Sequence, residues 1–92
     1  MTPQDSESLE EVLCSKTRIK MLKLLNDLGQ LNVSDIAERL GANYEYTIAN
    51  LKVLEENNLV KQLRSGKARY YRLNDECLKV SALRQVILAW QG

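Results

Sequence analysis

The sequence predicts a mostly α fold with one small β-hairpin, in the order α-α-(β)-α-α-β-β-α, and three stretches carry that expectation. Residues 34–54, SDIAERLGANYEYTIANLKVL, read as two amphipathic helices joined by a tight turn at Gly41. Residues 60–64 and 68–73 are β-prone runs either side of Ser65-Gly66-Lys67, a hairpin signal. A broad apolar pattern at helical spacing then runs to about Trp90. A helix-turn-helix followed by such a hairpin is a winged helix-turn-helix.

Taken in order, residues 1–8 are polar and acidic with a proline, so a flexible tail is expected there, followed by a single domain over residues 9–92. Leu9, Val12 and Leu13 form a short amphipathic helix that ends where Cys14-Ser15-Lys16-Thr17-Arg18 interrupts the pattern with capping residues. Ile19, Leu22, Leu25 and Leu28, backed by Met21 and Leu24, define a stronger helix that stops at Gly29. Leu31-Asn32-Val33 is long enough only for an extended bridge. Ser34 is the expected N-cap of the next helix, with Ile36, Ala37 and Leu40 on its inner face. Asn43 caps the helix after the turn, where Tyr44, Thr47, Ile48, Leu51 and Leu54 share one face and Glu45, Tyr46, Ala49, Asn50 and Val53 are left on the other. Asn57 or Asn58 suits the left-handed cap that ends it. In the hairpin, Val60, Leu63, Tyr71 and Leu73 are the expected inward residues. Asn74 or Asp75 then caps the last helix.

Ninety-two residues bury a modest fraction of their surface, so a lone subunit is marginal and oligomerisation is expected. The apolar residues of the first and last helices, Leu9, Val12, Leu13, Val80, Leu83, Val86, Ile87 and Trp90, exceed what one small core needs and are the expected homodimer interface. No apolar run is long enough for a membrane span or a secretory signal, which points to the cytoplasm without membrane association. Cys14 and Cys77, with no histidine anywhere, make neither a disulfide framework nor a zinc motif, so no metal and no cofactor is expected. The two thiols either pack as small hydrophobes or act as a redox pair. Without histidine, a phosphate-cradling glycine loop or a nucleophile beside a base, there is no constellation for catalysis.

The net charge of +1 hides an uneven distribution. Asp5, Glu7, Glu10 and Glu11 stand without a base in residues 1–11, whereas Lys61, Arg64, Lys67, Arg69 and Arg72 stand without an acid in residues 57–74. That basic stretch is either an electrostatic footprint for phosphate or a solvated hairpin. Arg64, Lys67 and Arg69 lie where a wing meets the backbone or minor groove of duplex DNA. On the second helix of the helix-turn-helix, Asn43, Glu45, Tyr46, Ala49 and Asn50 lie at or near the end that enters the major groove. Glu45 either complements the helix dipole or accepts from cytosine N4, Asn50 either reads adenine or is solvated, and Tyr46 either meets a phosphate or thymine methyl or packs at a domain edge. Ser15, Lys16, Thr17 and Arg18 either donate to phosphates or serve the fold as caps and an ion-pair partner.

With these residues placed, the chain resembles the ArsR/SmtB-like winged-helix regulators, especially the archaeal-type members, from about Leu9 to Trp90. Ser15-Lys16-Thr17-Arg18-Ile19-Lys20-Met21-Leu22 is similar to the family's S-x-T-R-x-x-I-L. Leu40-Gly41 with Leu51-Lys52-Val53-Leu54-Glu55-Glu56-Asn57-Asn58-Leu59-Val60 is similar to its LG...LKVLxxxGLV, and Gly66-Lys67-Ala68-Arg69-Tyr70-Tyr71-Arg72-Leu73 to its G-R-x-x-Y-Y-R-L. The resemblance implies a homodimer that binds double-stranded DNA near promoters. Metal-sensing members read E-L-C-V-C-D-L where this chain reads Gln30-Leu31-Asn32-Val33-Ser34-Asp35-Ile36, and a second family site needs D-x-H and H-x-x-E where this chain has Asp75-Glu76-Cys77. Neither donor set is present. In the recognition helix, Ile48, Ala49 and Asn50 replace the Ser, Arg and His common in relatives. The resulting expectation is a sequence-specific, dimeric transcription regulator. Its alternatives are a protein-interaction module built on the same fold and a nonspecific architectural DNA-binding protein.

Overall fold

The chain, described here over residues 8–91 by a computed structural model, folds in the order α1 (Leu9–Leu13), α2 (Lys16–Leu28), β1 (Leu31–Asn32), α3 (Val33–Leu40), α4 (Tyr44–Glu56), β2 (Val60–Ser65), β3 (Ala68–Leu73) and α5 (Leu78–Gln91). Residues 1–7 of the expected tail lie outside the described residues. Ser8, assigned to that tail, is instead the N-cap of α1. Its hydroxyl accepts from Glu11 N and the Glu11 carboxylate accepts from Ser8 N, a reciprocal capping box.

The central helix is α2, which packs against α1, α3, α4 and β3. Ser15 caps it by accepting from Arg18 N at 3.2 Å. Met21, Leu22 and Leu25 are its buried residues, whereas Ile19 and Leu28 are exposed. The expected stripe drifts because residues nine apart are separated by about 900°, half a turn off register, so Ile19 and Leu28 cannot share a face.

The sheet is antiparallel with strand order β1-β3-β2. Leu31 faces Tyr71 and Asn32 faces Tyr70 across β1 and β3, and β2 and β3 pair continuously from Val60↔Leu73 to Ser65↔Ala68. Gly66, at φ 62°, with Lys67 on the negative side, gives the sign pattern of a II′ hairpin turn, whose twist suits the flanking strands. Val60, Tyr71 and Leu73 point into the core, but Leu63 does not. Side chains alternate along a strand, so Leu63 belongs with its partner Tyr70 on the other face while Gln62 shares the inner face with Tyr71.

Both helices of the helix-turn-helix end in the same motif. Ala42 N donates to Ala37 O and Gly41 N to Glu38 O around Gly41 in the left-handed region, and Leu59 N donates to Leu54 O and Asn58 N to Glu55 O around Asn58 at φ 65°. Asn58 is thus the left-handed residue of the Asn57-Asn58 pair. At the other end of α3 the cap is Asn32, not Ser34. The Asn32 carboxamide oxygen accepts from Asp35 N at 2.7 Å, and the buried Val33 is already helical. Extended backbone ends one residue earlier than expected because Asn32 caps as well as serine does.

The start of α5 also departs from expectation. Asn74 Oδ1 accepts from Glu76 N and Asn74 O from Cys77 N, which turns the chain, and the first helical bonds run to the Cys77 carbonyl from Val80 and Ser81. Neither Asn74 nor Asp75 is the cap. Asn74 instead ties the end of β3 to the end of α4, since its Nδ2 donates to Asn58 O at 3.0 Å and its backbone N to Leu59 O at 2.9 Å. The core these elements enclose is centred on Met21, Leu25, Ile36, Leu51, Leu54 and Tyr71. Cys77 packs half-buried against it, whereas Cys14 is exposed and donates its Sγ–H to Glu11 O, so packing as a small hydrophobe, one of the two roles open to both thiols, is seen only for Cys77 and only in part.

Candidate nucleic-acid interface

The first helical turn of α4 presents Asn43, Glu45 and Tyr46, with Ala49 one turn further, all exposed. Asn43 Oδ1 accepts from Tyr46 N at 2.7 Å, so this oxygen is engaged in capping. Asn50 is not on the outward face. It is 9% exposed and its Nδ2 donates to Tyr46 O at 3.0 Å. The reason is its position one turn from Thr47 and Leu54, both fully buried, which places it at the edge of the core rather than over solvent. Thr47 follows the same rule, with its hydroxyl donating to Asn43 O at 2.8 Å. Tyr44, expected inside, is exposed, because a helical side chain lies over the turn preceding its own Cα and the first residue of a helix has no such turn beneath it. Lys52, the one base on α4, is also exposed, two residues beyond Asn50.

The wing gathers its charge by strand pairing. Arg64 and Arg69 are directly opposed in the β2–β3 register, and Lys67 is exposed in the turn that joins the strands. Arg64 donates from Nε to Gln62 Oε1 at 3.2 Å, while Arg69 is half-buried and lies near the Tyr71 phenol. Like charges directly opposite one another destabilise a hairpin, so this arrangement concentrates positive potential at a cost to the fold. Lower on the wing Lys61 and Arg72 are likewise opposed, and only Lys61 has an acid partner. Lys61 Nζ reaches Glu76 at 3.1 Å, an acid brought in from beyond the acid-free stretch.

On α2, Ser15 is committed to its cap, Lys16 is exposed, and Thr17 and Arg18 are half-buried. Arg18 Nε is buried and has no hydrogen-bond partner among the described residues.

The expected dimer residues divide into two groups. Val80 is fully buried within its own subunit, while Val12 and Ile87 are buried yet still line the apolar grooves beside α1 and α5. Leu9, Leu13, Leu83, Val86 and Trp90 remain accessible, Trp90 at 87% exposure, and line two apolar grooves of about 510 and 360 Å³ that share Leu13, Leu83 and Val86. Leu78 and Leu88 are also exposed on α5. Among the described residues no helix is long and apolar enough to cross a membrane, and no three His, Cys, Asp or Glu side chains are grouped as a metal site.

Comparison with known proteins places this geometry. The model of the arsR family of bacterial regulatory proteins matches residues 15–62, from the cap of α2 into the wing. The HTH-type transcriptional regulator YfiV of Bacillus subtilis is 44% identical over 55 residues, 60% of this chain and 34% of that protein. The cadmium resistance transcriptional regulatory protein CadC homolog of Staphylococcus aureus is 30% identical over 77 residues, 84% of this chain and 64% of that protein. The chain therefore spans between about one third and just under two thirds of the length of these curated relatives. Among solved structures, the homodimeric winged helix-turn-helix DNA-binding domain Mb0332 of Mycobacterium bovis superposes with a TM-score of 0.74 at 30% identity, covering 88% of this chain and 72% of that one. With more than half of its residues matched and the winged helix-turn-helix architecture shared, the chain belongs to the arsR family of bacterial regulatory proteins.

Proposed function

We propose that this protein binds double-stranded DNA as a homodimer and regulates transcription, with α4 entering the major groove and the β2–β3 wing on the backbone or minor groove. The observation that carries the reading is the direct opposition of Arg64 and Arg69 with Lys67 between them in the turn. A polyanion relieves that repulsion, and counterion release from its phosphates supplies affinity. The exposed start of α4 supplies Glu45, Tyr46 and Ala49 for base edges, and Lys16 and Lys52 supply further charge. Two copies joined through the accessible residues of α1 and α5 would present two recognition helices about 34 Å apart, one turn of duplex.

The reading includes action in the cytoplasm, no catalysis, and regulation without a metal bound at the entrance to α3. The donor chemistry there supports the last point. Asn32 stands where metal-sensing relatives place a thiolate, and its carboxamide oxygen is engaged by Asp35 N. Soft transition metals favour thiolate and imidazole ligands. Cadmium or zinc titration should leave DNA affinity unchanged, and a metal-dependent loss of binding would overturn this part.

The test of the whole is selection of the purified protein against random-sequence duplex DNA at low and moderate salt, with sedimentation to give its oligomeric state. Enrichment of an inverted repeat with half-sites about one turn apart is the expected result. Salt-sensitive retention without a motif would favour the architectural alternative. Absence of retention even at low salt would sink DNA binding and favour an interaction module, for which the exposed Leu78, Leu88 and Trp90 of α5 are the apolar surface.

A further inference from the structure

The outward face of α4 lacks the side chains that read purines. Glu45, Ala49, Lys52 and Glu56 are all exposed and form one stripe within about 60° of arc, with the exposed Tyr46 beside it. Guanine is read by arginine or lysine and adenine by asparagine or glutamine. The helix contains no arginine and no glutamine. Asn50 is held inward by its bond to Tyr46 O, and Asn43 turns its oxygen back to Tyr46 N, so neither presents the free amide edge that adenine takes. Lys52 lies two turns, about 10 Å, beyond Glu45, so its charge falls to the backbone and not to the bases met by the N-terminal end. What that end does offer is a carboxylate and an apolar surface. The Glu45 carboxylate has no ion-pair or hydrogen-bond partner among the described residues. An unpaired acid facing DNA repels phosphate, so it lowers affinity for every sequence that does not supply it with a donor.

We infer that α4 reads pyrimidines, which rests on its entering the major groove as proposed above: Glu45 accepts from the N4 amino group of a cytosine, and Ala49 with Tyr46 packs on the methyl group of a nearby thymine. Two bases offer an amino donor in that groove, cytosine at N4 and adenine at N6. Adenine N6 is flanked by two acceptors, its own N7 and O4 of the paired thymine, and both repel a carboxylate. Cytosine N4 has an acceptor on one side only, O6 of the paired guanine. Charge therefore selects cytosine for Glu45. Ala49 stands one turn, about 6 Å, further along the helix, less than two base-pair steps of about 3.4 Å. The cytosine and the thymine thus fall within two steps of each other in the half-site. At a half-site without the cytosine, the carboxylate is desolvated and left unpaired, which adds rejection of wrong sequences to recognition of the right one.

The test is selection from random-sequence duplex DNA with the wild-type chain, Glu45→Gln and Glu45→Ala, followed by binding isotherms on the selected duplex with uracil in place of thymine. The wild-type motif should carry a cytosine in each half-site whose replacement weakens binding about tenfold. Glu45→Gln should move that position to adenine, because a carboxamide accepts from N6 and donates to N7. Glu45→Ala should leave the position unspecified and bind unrelated duplex more tightly. Uracil for the thymine should weaken the wild type about fourfold, the worth of one buried carbon, and leave Ala49→Gly unaffected. The same motif in all three proteins would reduce Glu45 to a partner of the helix dipole and overturn the inference. So would indifference to uracil, or a guanine at the contacted position that disappears in Lys52→Ala. Salt-sensitive retention without a motif would overturn the base readout while leaving DNA binding in place, and no retention at low salt would overturn both.

Discussion

The carboxamide of Asn50 donates to the carbonyl of Tyr46, one turn earlier on α4, at 3.0 Å. The asparagine best suited by residue type to read adenine is thus engaged on its own helix, at the edge of the core, and the tyrosine it bonds is the side chain left outside. Replacing Asn50 with alanine should lower stability by about 1 kcal/mol, the usual worth of such a bond, and leave the selected DNA motif intact. Tyr46→Ala should alter the motif with little effect on denaturation. A motif that changes in Asn50→Ala at unchanged stability would return Asn50 to the groove.

The opposed Arg64 and Arg69 make a prediction that separates fold from function. In Lys67→Ala/Arg69→Ala the melting temperature should hold or rise, because a cross-strand repulsion is removed. DNA binding should weaken on all sequences, and the slope of log affinity against log salt should flatten by about 3.6, or about 0.9 for each of the four phosphates that the two wings of a dimer no longer neutralise. Binding isotherms at several salt concentrations measure this, and an unchanged slope rules out the wing as a phosphate-binding element.

Tyr71 carries a prediction for alkaline pH. Its side chain is fully buried, its hydroxyl accepts from Gln62 Nε2 at 2.9 Å, and burial raises its pKa above the usual phenol value, with Glu55 adding to the rise and Gln62 and Arg69 opposing it. The folded chain therefore keeps this proton at a pH where the unfolded chain has lost it. The contribution is fully present below the unfolded value of about 10 and is lost as pH rises through the folded one. Thermal melts should decline steeply in that alkaline range, and Tyr71→Phe should flatten the decline while lowering stability by about 1 kcal/mol at neutral pH through the unpaired Gln62. Equal decline in both proteins would show that another group governs it.

Val86 and Trp90 are accessible while Val80 is buried on the same helix, and the contrast predicts two phenotypes. Val86→Glu/Trp90→Glu should sediment as a folded monomer, because charge on an apolar contact surface opposes pairing without touching the core. Val80→Ala should remove buried methyl groups and lower stability by about 2 kcal/mol. A dimer that survives both glutamates would place the interface elsewhere.

The cap of α3 offers a compact check of the local structure. Asn32→Ala should cost about 1 kcal/mol in chemical denaturation, whereas Ser34→Ala, inside the first turn, should change little. The reverse order would restore Ser34 as the cap.

The element order, the turn glycines Gly41 and Gly66, the Asn43 cap and the winged helix-turn-helix were legible in the sequence, since these depend on backbone preferences and periodicities local to a few residues. The sequence also offered Arg64, Lys67 and Arg69 as candidates, from charge together with their place in the hairpin. What it left to tertiary structure was the rotation of each face. The spacing of Ile19, Leu22, Leu25 and Leu28 is helical, but only packing of α2 against α3, α4 and β3 selected Met21 over Ile19 for the interior. The same held for Asn50 against Tyr44 on α4 and for Leu63 on β2, where strand pairing set which parity turned inward. Charge partners were likewise nonlocal: Glu76 met Lys61 and Asp75 met Arg84 only once β3 and α5 were in place, leaving Arg72 Nε without an acceptor among the described residues. Periodicity specifies that a helix or strand has an inner face, whereas the elements packed against it decide which residues occupy that face.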